Sequence, residues 1–260
     1  MRKNNSAFQT QYNVVSALFL REVQTRFGTK KLGYFWAIFD AMLMVLIFAG
    51  LKNAIAPQAM PGVDFSVFLA TGFLAFFLWK NIVSRSLNAF SSNSALFVYK
   101  QVKPFDTIVA RVILEILVSI VATFVFLFIG WYFDFVINVD DFNMVIVAVI
   151  WLVVFGFGFG LMSAVLSVFY ETYSKIVNII LSPLLFISAL MYTVESLPPV
   201  LRELIVYNPL VHFIEMIHGF YFSSLNTKYV EYSYMTYWTL IPLFIGLFLY
   251  QKSQEKIMST

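Results

Sequence analysis

Six stretches of this chain are apolar for long enough to cross a lipid bilayer, and that pattern limits what else the molecule can be. A helix needs about 20 mostly apolar residues to traverse the hydrocarbon core. The stretches are 34–55, 65–83, 107–133, 142–169, 176–192 and 234–250. Their apolar residues run continuously and do not alternate, which selects helices over barrel strands. The third and fourth are long enough to tilt or to project past the membrane. Only 12% of the residues are charged, against about 25% in an average soluble domain, too few to clothe a water-facing surface. The sequence predicts one all-α integral membrane domain over 1–260, with six transmembrane helices.

Basic residues set the orientation. Arg2, Lys3, Arg21, Arg26, Lys30 and Lys31 precede the first span, Arg85, Lys100 and Lys103 lie between the second and third, Lys175 follows the fourth, and Lys252 and Lys256 are in the tail. The alternate loops hold only Lys52, Arg202 and Lys228. The positive-inside rule places both termini in the cytoplasm. That segregation explains the net charge of +3 as a topology signal and not a nucleic-acid surface. No signal-peptide pattern opens the sequence, so the chain is expected to stay in the membrane through its own spans.

Three segments lie between spans. Residues 12–33 read as an amphipathic helix along the cytoplasmic interface, with Val15, Leu18, Phe19, Val23 and Phe27 near helical spacing. Its polar side carries Arg21, Glu22, Gln24, Thr25 and Lys30. Residues 84–104 form a Ser/Asn-rich cytoplasmic coupling region ending at Pro104. Residues 193–231 are too long for a turn and read as two short helices broken at Asn208-Pro209, a hairpin on the outer side before the last span.

Catalytic and nucleotide motifs are weak. GTKKLG at 28–33 lacks the Lys and hydroxyl of a phosphate-cradling loop. GFGFG at 156–160 sits inside a span with no preceding strand; Gly156 and Gly160 instead read as a helix-packing face. His212, Glu215 and His218 are three apart and three apart, not the H-E-x-x-H spacing, so no metal site is predicted and they read as polar tips of an interfacial helix. The absence of cysteine excludes disulfides and thiolate chemistry. No acid, base or metal cluster supports the rival reading, an intramembrane glycosyl-lipid transferase or acyltransferase.

Ionisable residues within spans are costly. Asp40 falls early in the first span. Arg111 and Glu115, four apart in the third, can pair along one helix face; they are either a structural pair or the lining of a translocation path. Lys80 and Arg85 can snorkel at the end of the second.

LREVQTRFGTKKLGYFW, from Leu20 to Trp36, resembles the motif that opens type-two ABC export permeases. The segment LPPVLRELIVYNPLVHFIEMIHGFYF resembles the same family's signature before the last span. Within the family the chain is similar to the capsular-polysaccharide export permeases, through FLWKNIVSRSLNAFSSNSALFVYKQVKPFD and NPLVHFIEMI. Permeases for O-antigen, teichoic acid or small molecules share the architecture. His218 stands where many relatives have Arg, which puts a shared charge-based role there in doubt.

The resemblance implies a homodimer in the bacterial inner membrane, with two copies of a cytoplasmic ATPase subunit. Those subunits would bind ATP and Mg, and this chain would have no nucleotide site or cofactor. It also implies a periplasmic co-polymerase, an outer-membrane polysaccharide channel and a lipid-linked acidic polysaccharide as cargo. ATPase docking would fall to Arg21, Glu22, Arg26, Ser86, Asn88, Phe90 and Glu171. Tyr34, Trp36, Trp79 and Tyr99 could offer ring faces to sugars, or pack in the core and the interfacial belts. Arg85, Lys100, Lys103, Arg111 and Glu115 could line the path, or set topology by snorkelling and pairing. Asn208, Pro209, His212, Glu215 and His218 would form an outer gate.

Overall fold

The computed structural model describes residues 7–28, 43, 47 and 62–258. Of the first expected span only Leu43 and Ile47 are described, so Tyr34, Trp36 and Asp40 lie outside the described residues. Every regular element among the described residues is helical.

Helix α1, Ala7–Phe27, begins five residues before the expected start at residue 12. It stops at Gly28, whose φ of 60° needs no Cβ to be accommodated. The Gly28 N–H closes the last turn on the Gln24 carbonyl at 2.8 Å. Helix α2, Phe65–Leu87, is started by the Asp64 carboxylate, which accepts the N–H groups of Ser66 and Val67 at 2.9 and 3.4 Å. A 3-10 turn, Ser91–Leu96, leads to α3, Pro104–Tyr132, which opens on a proline where no amide partner is required. Asp141 caps α4, Phe142–Phe169, by accepting from Met144 N at 3.1 Å.

The stretch 176–192 does not form one continuous helix. Helix α5, Glu171–Leu184, has 14 residues, about 21 Å of length against the roughly 30 Å of a hydrocarbon core. Pro183 offers no amide to the preceding turn and the helix ends one residue later. Ala189 then takes a φ of 57° within a run of bends. Two shorter helices follow, α6 at Pro199–Ile205 and α7 at Pro209–Tyr221, with the Asn208 side chain capping α7 through Leu210 N at 3.1 Å. Helix α8, Tyr232–Met258, ends the fold.

Four of the described helices, α2, α3, α4 and α8, are long and apolar enough to cross a membrane. Their burial separates them. The most apolar stretch of α2 is 72% buried within the bundle, whereas those of α3, α4 and α8 are 22–39% buried. Helix α2 is therefore the core strut, and the other three present outward faces such as Phe124, Phe128, Ile150, Phe244 and Phe248.

Helix α4 packs between α2 and α8, and its alternating glycines explain how. Side chains two apart on a helix point about 200° apart, so successive glycines serve opposite flanks. A Cβ at Gly160 would meet Ser86 Oγ at 2.8 Å, and one at Gly156 would meet Trp79 at 3.2 Å, both on α2. A Cβ at Gly158 would lie 2.9 Å from the Leu243 backbone on α8, where Gly246 reciprocates against Met162 N at 2.9 Å. Without a hydrophobic force between helices in lipid, such close approach and its dispersion contacts hold spans together. Helix α7 wedges against α2 and α4, and the Phe155 and Phe213 rings stack there at 5.0 Å and 3°.

Candidate functional site

The chain concentrates its polar chemistry where α1 crosses α3. A guanidinium or carboxylate near apolar helices must find a partner or stay wet. Here α1 and α3 answer that demand for each other. Arg26 Nη1 donates to Glu115 Oε1 at 2.5 Å, with side chains 10% and 3% exposed. Four residues back on both helices, Arg111 Nε donates to Glu22 Oε1 at 2.9 Å. The two pairs thus cross in opposite sense, each helix giving one cation and one anion. The expected pairing of Arg111 with Glu115 is not formed, because each has a better-placed partner on α1.

Arg111 does more than pair. Its Nη1 donates to the Arg85 carbonyl at 2.5 Å and its Nη2 to Ser92 Oγ at 2.5 Å. The Arg85 carbonyl belongs to the last turn of α2, where acceptors lack helical partners and a cation suits the helix dipole. Asn93, only 2% exposed, completes the knot. Its amide donates to Glu22 Oε1 at 3.1 Å and to the Ala89 carbonyl at 2.8 Å, while its oxygen accepts from Arg21. Farther along α1, Gln11 donates to Asp106 at the start of α3. Burial draws Arg26 below the usual guanidinium pKa, and the facing Glu115 carboxylate opposes that shift. An Arg remains charged under such a shift.

Three residues expected to dock a partner and three expected to line a path therefore form one cluster. Arg26, Arg85, Asn88, Arg111, Glu22 and Glu115 together line a cleft of about 380 Å³. Three of the expected docking residues face inward here: Arg21, Glu22 and Arg26 are occupied within the chain. Ser86 is fully buried, donating to the Ile82 carbonyl at 2.7 Å, and Phe90 is buried against Tyr250. Asn88 and Glu171 stay exposed. Tyr99, Lys100 and Lys103 are exposed on the connection to α3 and take no part in the joint. Trp79 is 3% exposed and stacks on Phe155 at 5.5 Å. Asn93, Ser92 and Gln11 were missed by the sequence reading. The Ser/Asn-rich character of 84–104 is the only signal for Asn93 and Ser92, and Gln11 precedes the helix expected from residue 12.

At the opposite end, α7 is not an interfacial helix with polar tips. His212, Glu215 and His218 are each 5% exposed or less. Every residue from Leu210 to His218 is buried, so the helix is surrounded on all sides and its polar groups have no water to turn to. Each polar side chain instead straps α7 to a different main-chain segment. The Glu231 N–H donates to His212 Nδ1 at 3.1 Å, which leaves Nε2 to donate to the Val206 carbonyl at 2.8 Å. Val194 N–H donates to Glu215 Oε1 at 3.0 Å, and His218 Nε2 donates to the Phe68 carbonyl at 3.2 Å. The His218 ring also stacks on Phe68 at 4.0 Å. Burial outweighs the Val194 bond and pushes the Glu215 carboxyl, outside the four spans, up to about 7. Asn208 donates to the Ile187 carbonyl and to Ser188 Oγ, both at 2.9 Å, beside the half-buried Pro209. The ligating atoms of the two histidines and the carboxylate thus serve separate segments and do not converge on a common point.

Helix α1 is thus ion-paired to α3, one of the four described helices long and apolar enough to cross a membrane. The chain belongs to the ABC-2 type transporter family, whose model matches residues 13–222. It is 35% identical to the polysialic acid transport protein KpsM of Escherichia coli over 98% of this chain and 99% of that one. It is 29% identical to the capsule polysaccharide export inner-membrane protein CtrC of Neisseria meningitidis serogroup B, covering 95% of this chain and 93% of that protein. The capsule polysaccharide export inner-membrane protein BexB of Haemophilus influenzae is 27% identical over 91% and 89% of the two chains.

Proposed function

We propose that this chain is the inner-membrane permease of an ATP-driven exporter that carries lipid-linked capsular polysaccharide outward. The observation that carries this reading is end-to-end similarity to relatives named for capsule or polysialic acid export, at up to 35% identity over 98% of the chain. In this reading the chain crosses the membrane six times with both termini in the cytoplasm, and the hairpin of α6 and α7 lies on the outer side. Two copies form the conduit, and each binds one cytoplasmic ATPase subunit, which holds the ATP and Mg. A periplasmic co-polymerase and an outer-membrane channel receive the chain beyond.

The α1–α3 joint supports a mechanism. Closure of the ATPase pair pushes on α1 and on the exposed stretch 98–101 of the connection to α3. Because α1 is clamped to α3 by two ion pairs and to the end of α2 through Arg111, that push tilts two spans together instead of sliding over them. Charged partners suit such a joint, since long side chains keep contact through small displacements better than packed apolar ones. The exposed Lys100 and Lys103 and the cleft-facing Arg85 draw an anionic polymer toward the cytoplasmic mouth.

Deletion of the gene in its capsulated host, with complementation, tests the reading. Surface polysaccharide is expected to vanish while the same polymer accumulates inside the cell. Undiminished capsule in the deletion strain would overturn it. Loss of O-antigen, of teichoic acid or of resistance to a small molecule, with capsule intact, would point to another branch of the family.

A further inference from the structure

A second cleft, of about 520 Å³, opens at the hairpin end between the α6–α7 turn and the segment before α8. Its size falls in the roughly 300–1,000 Å³ range of clefts that take small ligands. Tyr207, Tyr229 and Tyr234 supply its aromatic surface, and Glu203, Lys228 and Glu231 its charged groups. None of the polar straps that hold α7 explains this surface, because those straps use buried groups beneath it.

The walls are fixed in place by bonds that engage two of the charged heads in part: Ser233 Oγ donates to Glu231 Oε1 at 3.1 Å, and the Lys228 ammonium lies over the Tyr229 ring at 5.5 Å. Arg202 donates to Tyr229 Oη at 2.8 Å, lies over its ring at 5.2 Å, and also holds the carbonyls of Glu195 and Leu197. Tyr234 Oη donates to the Tyr207 carbonyl at 2.7 Å. His212 forms the floor, bridging Val206 and Glu231 through both ring nitrogens. What faces outward is the Tyr207 ring, 74% exposed, with two carboxylates and an ammonium around it. An exposed ring backed by a rigid frame offers a flat apolar face at little entropic cost. Carboxylates accept hydrogen bonds from hydroxyls, and an ammonium donates to ring and carboxyl oxygens. With two carboxylates to one ammonium, the charged groups of the cleft are net negative and favour a neutral sugar unit over an acidic one.

We infer that this cleft is a saccharide subsite, in which one sugar unit of the exported polymer lays its CH face on Tyr207 and its hydroxyls on Glu203 and Glu231 as it leaves the conduit. The inference rests on the export reading above and deepens it. It places a transient hold on the outer side, where a partly exported chain would otherwise slide back between strokes. A hold of this kind must be weak, and a shallow site built on one exposed ring and unspecific hydroxyl contacts meets that need.

The test uses the full transporter in capsulated cells. Tyr207→p-benzoylphenylalanine places a photo-crosslinker in the cleft, and the same substitution at Val136, exposed on the α3–α4 connection, serves as control. Illumination during export is expected to give a carbohydrate-positive adduct at 207 that disappears when polymer synthesis is blocked. An adduct containing only protein would assign the cleft to an accessory partner, and no adduct at 207, or an equal carbohydrate adduct at 136, would also overturn the inference. In parallel, Tyr207→Ala and Lys228→Ala should slow appearance of surface polymer about 2–10-fold, the size of a lost aromatic or polar contact. ATP hydrolysis by the purified complex should stay unchanged. Normal export in both variants would sink the proposal. Because the deletion strain separately reports whether the chain exports capsule at all, failure of the subsite and failure of the export reading give different results.

Discussion

The two ends of the molecule solve the same problem by opposite means. Both must seat polar side chains among apolar helices. At the α1 end, charged side chains meet charged side chains: Arg26 with Glu115 and Arg111 with Glu22, around an open cleft. At the hairpin end, His212, Glu215, His218 and Asn208 reach mainly to backbone groups, and the first three are buried. A bond to a main-chain carbonyl fixes position, because the carbonyl moves only with its whole segment. A bond between two long side chains fixes contact but allows angle and reach to change. The α1 end is accordingly built as a joint and the hairpin end as a brace.

The largest effect that would break this contrast comes from the more buried ion pair. Arg26→Glu leaves Glu115 facing a like charge; loss of a buried partner costs about 3–5 kcal/mol. Surface polysaccharide should fall to near zero, with ATPase recovery on the purified chain also reduced as α1 detaches. The exchanged pair, Arg26→Glu with Glu115→Arg, should restore most of the export. If the exchange fails while the protein is present in the membrane at normal level, the pair is more than a joint.

Gly158→Ala comes next. Its new methyl group would lie 2.9 Å from the Leu243 backbone, and overpacking of this kind costs about 1–3 kcal/mol. Thermal stability of the purified chain should drop, more than for Gly156→Ala, whose neighbours are side chains that can yield. Equal losses at the two positions would show that α4 packs alike on both flanks.

A smaller effect is expected from Arg111→Lys. The ammonium keeps the charge toward Glu22 but cannot also reach Arg85 and Ser92 in a planar fork. ATP hydrolysis should persist while export per ATP declines severalfold, a signature of loosened transmission at α2. Unchanged export per ATP would remove Arg111 from the joint.

The smallest is at the brace. Glu215→Gln keeps an oxygen acceptor for Val194 and should alter export little. The wild-type carboxyl is raised from its ordinary 4.5 to about 7, so the folded chain holds that proton more tightly than the unfolded one. Its contribution is fully present below about 4.5 and is lost as pH rises through 7. Melting curves from pH 5 to 8 should therefore fall more steeply for the wild type than for Glu215→Gln. Parallel curves would show that burial does not raise this carboxyl.

Much of the fold was legible because local chemistry determines it. Long apolar runs announce α2, α3, α4 and α8. Gly156 and Gly160 announced a packing face because four-residue spacing puts two small residues on one side of a helix, and both lie against α2. Gly158 was not read, since its value depends on a second helix whose backbone passes at Leu243. The i,i+4 rule suggested Arg111 with Glu115, but the partners chosen lie 89 residues away in sequence. No local pattern reveals that distance. His212, Glu215 and His218 were placed on a surface because a histidine or carboxylate in an apolar segment normally seeks water; the main-chain groups that replace water come from elsewhere in the chain. Pro183 is a readable warning within 176–192 that the reading of one continuous span does not take up.

The glycine seam between α4 and α8 has a mechanical consequence. At this contact Gly158 faces the Leu243 backbone and Gly246 faces Met162 N, with the Leu161 side chain 3.3 Å from where a Gly246 Cβ would lie. Interlocked side chains act like gear teeth, so that displacement proceeds in steps; bare backbone acts like a bearing, on which one rod turns or glides without climbing over its neighbour. A stroke delivered to α2 and α3 would then let α4 turn against α8 near Gly158, while the 3.0 Å bond from Trp151 to Thr239 keeps the two rods joined farther along.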